Sequence, residues 1–246
     1  MAQETTLYGK DIYGEKSLHK LLRELCKVDG IRWIRILYCY PEEIDDNLIQ
    51  VMKEEKKLCH YLDLPIQHAN DEILRRMGRR TSKQELIDKI DFLRSEMPDI
   101  TLRTTLITGF PGETKEQHKE LLEFINDMEF DRLGVFTYSP EEGTPAAAME
   151  HQIDEEVKLD RQAELMELQQ DISAELGERR IGQELLVMIE GKVADEDAYV
   201  GRSQADAPGV DGYVFVNTPE TLVSGDFVRV KITGALEYDL IGEISQ

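Results

Sequence analysis

The chain has 246 residues, with 29 Lys and Arg against 50 Asp and Glu, for a net charge of −21. That balance argues against a dedicated nucleic-acid binder and against docking on an anionic membrane, because both need cations to meet phosphate. It suits a basic protein partner. No apolar run is long enough to cross a bilayer, and no apolar segment opens the chain. Three cysteines, Cys26, Cys39 and Cys59, make no disulfide framework, so a reducing cytoplasmic setting is expected. Their spacing also fits no compact metal or cluster motif, and each reads as a small packing residue.

In chain order, Leu18, Leu21, Leu22 and Leu25 recur at helical spacing over residues 17–28. Residues 31–38 (IRWIRILY) read as a strand stopped by Pro41, and a short helix follows over 45–53. Residues 60–64 read as the next strand, closed by Pro65. Ser82 and Glu85 form a capping-box pattern for a helix ending near Glu96. Residues 101–107 are a strand, Gly109-Phe110-Pro111-Gly112 a turn, and Thr114 with Gln117 caps a helix to about Met128. Another strand covers 132–138. Strands alternating with helices of this length predict right-handed βαβ units and a parallel sheet, as a partial (β/α) barrel or an open α/β sheet. Residues 154–180 are a long helix with Leu165, Leu168, Ile172 and Leu176 on one stripe and an otherwise solvated circumference. Beyond Gly182 the alternation of Leu185/Val187/Ile189, Val214/Val216 and Val228/Val230/Ile232 between turn residues predicts a small antiparallel β-barrel. The domain boundary is placed near residue 180.

Ligands of parallel α/β folds sit at the C-terminal ends of the strands. Three segments arrive there. Gln67-His68 offers donors and acceptors, or a satisfied loop histidine. Gly109 lets backbone approach a ligand closely, and Glu113 suits the first turn of the next helix. Arg103, inside an apolar strand, must meet a carboxylate, either of the protein or of a ligand. Phe136 and Tyr138 end the last strand, where they can flank a flat ligand or pack into the core.

The ordered set PIQHANDEILRRMGRR (65–80), LRTTLITGFPGET (102–114) and FTYSPEEGTPAA (136–147), followed by an all-β tail, resembles the methylthiotransferase branch of the radical S-adenosylmethionine enzymes. The tail resembles a TRAM domain, and the resemblance covers essentially the whole chain. It implies a partial radical SAM α/β barrel over 1–180 and a TRAM-like β-barrel over 181–246. It implies S-adenosylmethionine and 4Fe-4S clusters as cofactors, a 5′-deoxyadenosyl radical, and insertion of a methylthio group. It also implies a ligand wall made by Gln67, Arg103, Gly109, Glu113, Phe136 and Tyr138. In that reading Arg103 pairs the ligand carboxylate, Gln67 bonds its ribose or amino-acid groups, and Gly109 gives close approach.

Two branches of that family compete. One modifies a tRNA adenosine, and the other modifies the β-carbon of an aspartate in ribosomal protein S twelve. Residues 201–212 (GRSQADAPGVDG) are similar to the ribosomal-protein form. Charge agrees: residues 181–246 hold four basic residues against twelve acidic ones, a net −8, where an RNA-binding barrel needs a basic groove. The basic ribosomal protein is therefore the expected partner, with no nucleic acid and no membrane, and a non-catalytic protein-binding adaptor stays as a further alternative. The family's CxxxCxxC cluster motif is absent from the sequence, so no catalytic or metal-ligating residue is assigned and the chain alone is expected to be inactive. The opening AQETTLYGKDIYG resembles the end of a second barrel strand and its loop. The chain is thus expected to be the C-terminal portion of a longer protein, with a sheet edge exposed where an earlier strand is missing.

Overall fold

The structure is a computed structural model and describes residues 4–245, so residues 2 and 3 of the opening segment lie outside the described residues. The elements in chain order are α1 (Lys10–Tyr13), α2 (Leu18–Cys26), β1 (Ile34–Ile36), α3 (Asp46–Glu54), β2 (Leu58–Gln67), α4 (Asp71–Arg76), α5 (Lys83–Glu96), β3 (Thr101–Thr108), α6 (Lys115–Met128) and β4 (Arg132–Thr137). There follow α7 (Glu155–Glu178) and the strands β5 (Glu184–Lys192), β6 (Ala198–Arg202), β7 (Val214–Asn217), β8 (Phe227–Ala235) and β9 (Leu240–Ile244). The chain divides into two compact units, residues 1–169 and 170–246.

The first unit carries a parallel sheet in the order β1-β2-β3-β4. Helices α3, α5 and α6 lie in sequence between successive strands, as the alternating pattern predicts. Both expected capping boxes are present, Ser82 with Glu85 opening α5 and Thr114 with Gln117 opening α6. On β3 one face is fully buried (Leu102, Thr104, Leu106, Thr108), while Arg103, Thr105 and Ile107 on the other face are half-exposed. Register places Asp63 of β2 and Arg132 of β4 on either side of Arg103. Among the described strands β1 and β4 are the edges.

Two strand expectations are corrected. Residues 31–38 form a strand only over Ile34–Ile36. The second strand does not close at Pro65 but continues to Gln67. A proline cannot donate to a ladder, and a central strand tolerates one only where the ladder is interrupted. The β2–β3 register does shift between Leu64 and Gln67, so Pro65 sits in that irregularity.

In the second unit the strands close into a barrel in the order β5-β6-β7-β9-β8. Its core is the inward set Val187, Ile189, Tyr199, Val214, Val216, Val230, Ile232 and Leu240. Full burial of each such side chain contributes roughly 1.5–3 kcal/mol. The barrel is not wholly antiparallel. β8 and β9 form an antiparallel pair, and β9 then runs parallel to β7.

Candidate functional site: the rim at the strand ends

The backbone turns sharply where β1, β2 and β3 end. Tyr38 just past β1, Gln67 at the end of β2 and Gly109 just past β3 all have left-handed φ, at 58°, 72° and 72°. For the two non-glycines that conformation costs of order 1–3 kcal/mol and persists only where the surroundings impose it. Asp63 imposes it at Tyr38. Its Oδ2 accepts from the Tyr38 N–H at 3.1 Å, and its carbonyl accepts from the Cys39 N–H at 2.9 Å. Its Oδ1 accepts from Arg103 Nη1 at 2.9 Å. Of the two carboxylates open to Arg103 from the sequence, this one belongs to the protein. The guanidinium lies on the half-buried face of β3, between Asp63 and Arg132 in register and below the rim.

The loop after β3 is held from inside. Glu113 is fully buried, and its carboxylate accepts from the Gly109 N–H at 2.6 Å and the Phe110 N–H at 3.2 Å. Arg161 Nη1 of α7 donates to Glu113 Oε1 at 3.0 Å and to the Glu113 carbonyl at 3.1 Å. Burial pushes the Glu113 carboxyl up, opposed first by Arg161 and then by the Gly109 N–H. Lys158, also of α7, fills the space above Gly109, where an added Cβ would lie 2.3 Å from Lys158 Cγ. So Gly109 gives close approach to a lysine stem. The Lys158 ammonium donates to the Tyr138 carbonyl at 2.9 Å and to Glu155 Oε2 at 3.2 Å.

Two histidines flank this carboxylate. His68 is wholly buried, and its Nδ1 accepts from the Asn70 N–H at 2.9 Å, which leaves the ring proton on Nε2. Nε2 lies 4.0 Å from Glu113 Oε2 and has no hydrogen-bond partner among the described residues. Burial first, then the nearby His118 and Arg161, hold the His68 pKa down at about 3, so the ring is neutral. His118 Nδ1 lies 3.7 Å from Glu113 Oε1, and its Nε2 meets Glu164 Oε2 at 2.7 Å.

The structure thus brings Gln67, Gly109 and Tyr138 to one rim. The Tyr138 N–H bonds the Thr108 carbonyl at 2.9 Å and ties the end of β4 to the end of β3. Tyr138 packs edge-on against Phe110 at 5.2 Å, and its hydroxyl is buried with no hydrogen-bond partner among the described residues. Phe136 is exposed and Gln67 is half-buried. Arg103 lies deeper, and Glu113 turns inward. Sequence reasoning missed Asp63, Lys158, Arg161 and His118. The signal was there for two of them: 158, 161, 165, 169 and 172 are one helical stripe, and all five positions are buried.

An iron–sulfur cluster requires thiolates at a shared site. Cys26, Cys39 and Cys59 are all buried, and burial, with Glu4 and Asp63 adding, pushes the Cys39 thiol strongly up. No group of three His, Cys, Asp or Glu among the described residues is placed to hold a metal ion. Among the described residues, these three buried cysteines do not fit a 4Fe-4S cluster.

Residues 2–125 match the family model of the radical SAM superfamily, half of the chain. The chain belongs to that superfamily. Residues 181–244 match the TRAM domain. Over 242 residues the chain is 61% identical to the ribosomal protein uS12 methylthiotransferase RimO of Lachnoclostridium phytofermentans, covering 98% of this chain and 55% of that protein. It is 54% identical to the protein of the same name from Desulfitobacterium hafniense, covering 100% of this chain and 55% of that one. The chain therefore spans about half the length of the curated relatives it matches. Among solved structures it is similar to the Elp3 of Methanocaldococcus infernus, with 20% identity and a TM-score of 0.47, over 64% of this chain and 37% of that one.

Proposed function

We infer that this chain is part of a radical SAM methylthiotransferase that places a methylthio group on the β-carbon of an aspartate in ribosomal protein uS12. The observation that carries the reading is the 61% identity, across 98% of this chain and 55% of the relative, to a protein named as a uS12 methylthiotransferase, together with the matches to both expected domains. The domain division that goes with it is 1–180 and 181–246. In this reading the rim would hold S-adenosylmethionine, which would supply the methyl group. Within this chain Gln67 and Phe136 meet the ligand at the rim, and the Tyr138 hydroxyl is a further donor beside them. Gly109, Arg103 and Glu113 fix the shape of the wall, through Lys158, Asp63 and Arg161. The chain by itself is inactive in this reading.

The acidic barrel, at −8, is the part that meets the basic ribosomal protein, by complementary potential. Deleting the coding region and analysing uS12 and tRNA by mass spectrometry tests the assignment. The expected result is loss of the methylthio group from uS12 with tRNA adenosine modification unchanged. Loss from tRNA alone, or from neither, overturns it.

A further inference from the structure

Among the described residues six large apolar side chains are exposed on the second unit, and four of them belong to two neighbouring loops. Val210 (59% exposed) and Tyr213 (38%) lie in the β6–β7 loop, while Leu236 (49%) and Tyr238 (37%) lie in the β8–β9 turn. The loops are joined directly. The Tyr213 N–H donates to Asp239 Oδ1 at 2.7 Å, and the Leu240 N–H donates to the Tyr213 carbonyl at 2.9 Å. Gly212 allows this approach, since a Cβ there would lie 2.1 Å from the Tyr238 carbonyl.

The β6–β7 loop is also ordered by its own polar groups. The buried Asp206 carboxylate accepts from the Ser203 N–H at 3.0 Å and the Ser203 hydroxyl at 2.7 Å. The Asp211 carboxylate accepts from the Ala207 N–H at 2.8 Å. An ordered loop that shows apolar side chains to solvent has already met part of the entropy cost of binding.

On the two loops themselves the charge has one sign, and Arg179, at the helix end that packs against Ala235 and Leu236, is paired with Glu175 at 3.5 Å. Residues 203–228 and 232–246 contain no Lys or Arg, while Asp211, Glu237 and Asp239 lie on the two loops. Elsewhere in the barrel Arg202 is paired with Glu190 at 2.7 Å and Arg229 with Glu184 at 2.9 Å, so those cations are neutralised locally. Two half-exposed tyrosine rings beside carboxylates are suited to Lys and Arg side chains, which gain both cation–π and Coulomb attraction. A phosphate backbone gains neither.

We propose that Val210, Tyr213, Leu236 and Tyr238, rimmed by Asp211, Glu237 and Asp239, form a docking surface for a Lys/Arg-rich segment of a protein partner. This rests on the uS12 reading above and names the surface that reading leaves unspecified. The test is a binding titration of the full 246-residue chain with purified uS12 and, separately, with bulk tRNA. It compares wild type, Tyr213→Ser/Tyr238→Ser, Glu237→Lys, and the remote control Val223→Ser. Circular dichroism checks that each is folded, and because Glu237 is an exposed turn residue its variant keeps the test open if the tyrosine variant misfolds.

The expected result is uS12 binding by wild type and control, weakened about tenfold in both patch variants, with no patch-dependent tRNA binding. If wild type binds uS12 and the patch variants bind it equally well, the patch is wrong and the function reading survives. If wild type fails to bind uS12, the function reading fails and the patch fails with it. tRNA binding that the patch variants abolish overturns the proposed chemistry of the surface.

Discussion

Replacing Arg161 by Met removes the cation that holds the loop after β3. Two bonds are lost, one to the Glu113 carboxylate at 3.0 Å and one to its carbonyl at 3.1 Å. Each charge-assisted bond contributes about 1.5–3 kcal/mol, and a buried carboxylate left without its partner costs roughly 3–5 kcal/mol. These figures describe overlapping effects, so the expected loss is about 3–5 kcal/mol rather than their sum. It does not go higher because the Gly109 and Phe110 N–H groups still bind the carboxylate. Burial already raises the Glu113 pKa, and Arg161 is the strongest opposing influence, so its removal raises the pKa further. A carboxyl raised in the folded state holds its proton more tightly there than in the unfolded chain. The variant is therefore least penalised in acid, and the penalty grows as pH climbs from the ordinary carboxylate value to the raised one. Urea unfolding at pH 5 and pH 8, with each transition fitted separately, measures this for wild type, Arg161→Met, Glu113→Gln and the double variant. The expected outcome is a larger loss at pH 8 and a coupling energy of about 1–3 kcal/mol between the two sites. A loss below about 1 kcal/mol at both pH values, with no coupling, refutes the proposed anchoring of this loop by α7.

Two further outcomes follow from the same neighbourhood. Gly109→Ala forces a Cβ at φ 72° to within 2.3 Å of Lys158 Cγ and is expected to destabilise by about 2–4 kcal/mol, part of which Lys158→Ala restores in the double variant; thermal denaturation reads both, and no restoration means the clash is not with Lys158. Neutral His68, with its pKa near 3 rather than 6.5, contributes stability that is present above pH 6.5 and lost as pH falls toward 3, about 2 kcal/mol of it between pH 7 and pH 5. Raised Glu113 works in the opposite sense, and His118 and Arg161 also face the ring, so the reading is the difference between wild type and His68→Asn. A His68→Asn variant as acid-sensitive as wild type shows that His68 is not the group responsible.

The architecture was legible because local rules and global fold agree. Apolar runs such as 101–107 became β3, and the two capping patterns opened α5 and α6 where Ser82 and Thr114 stand. Where legibility failed, a tertiary effect had overridden a local one. Pro65 signals a strand end, yet the sheet absorbs it in a register shift and carries β2 on to Gln67. β6 and β9 leave a weak signal in the sequence because Gly201 and Gly242 interrupt the apolar alternation within them.

The candidate site shows the same limit more sharply. Arg103 in an apolar strand announced that it needed a carboxylate, but nothing local named Asp63, forty residues earlier. Glu113 stands just before the Thr114 N-cap, where the sequence suggests only a carboxylate suited to a helix start, so its inward turn leaves no trace in the sequence. On α7 a Lys and an Arg occupy the stripe that Leu165 and Ile172 continue, and charged residues there read as a solvated face. They can be buried because their acceptors, the Tyr138 carbonyl and the Glu113 carboxylate, arrive from loops 20 and 48 residues away. A buried charge is affordable only with such a partner, and periodicity reports a position's side of the helix without reporting what waits there. The rim at the strand ends is consequently shaped by a helix that carries none of the family's recognisable motifs, and substitutions at Lys158 or Arg161 will alter that rim while leaving every motif residue in place.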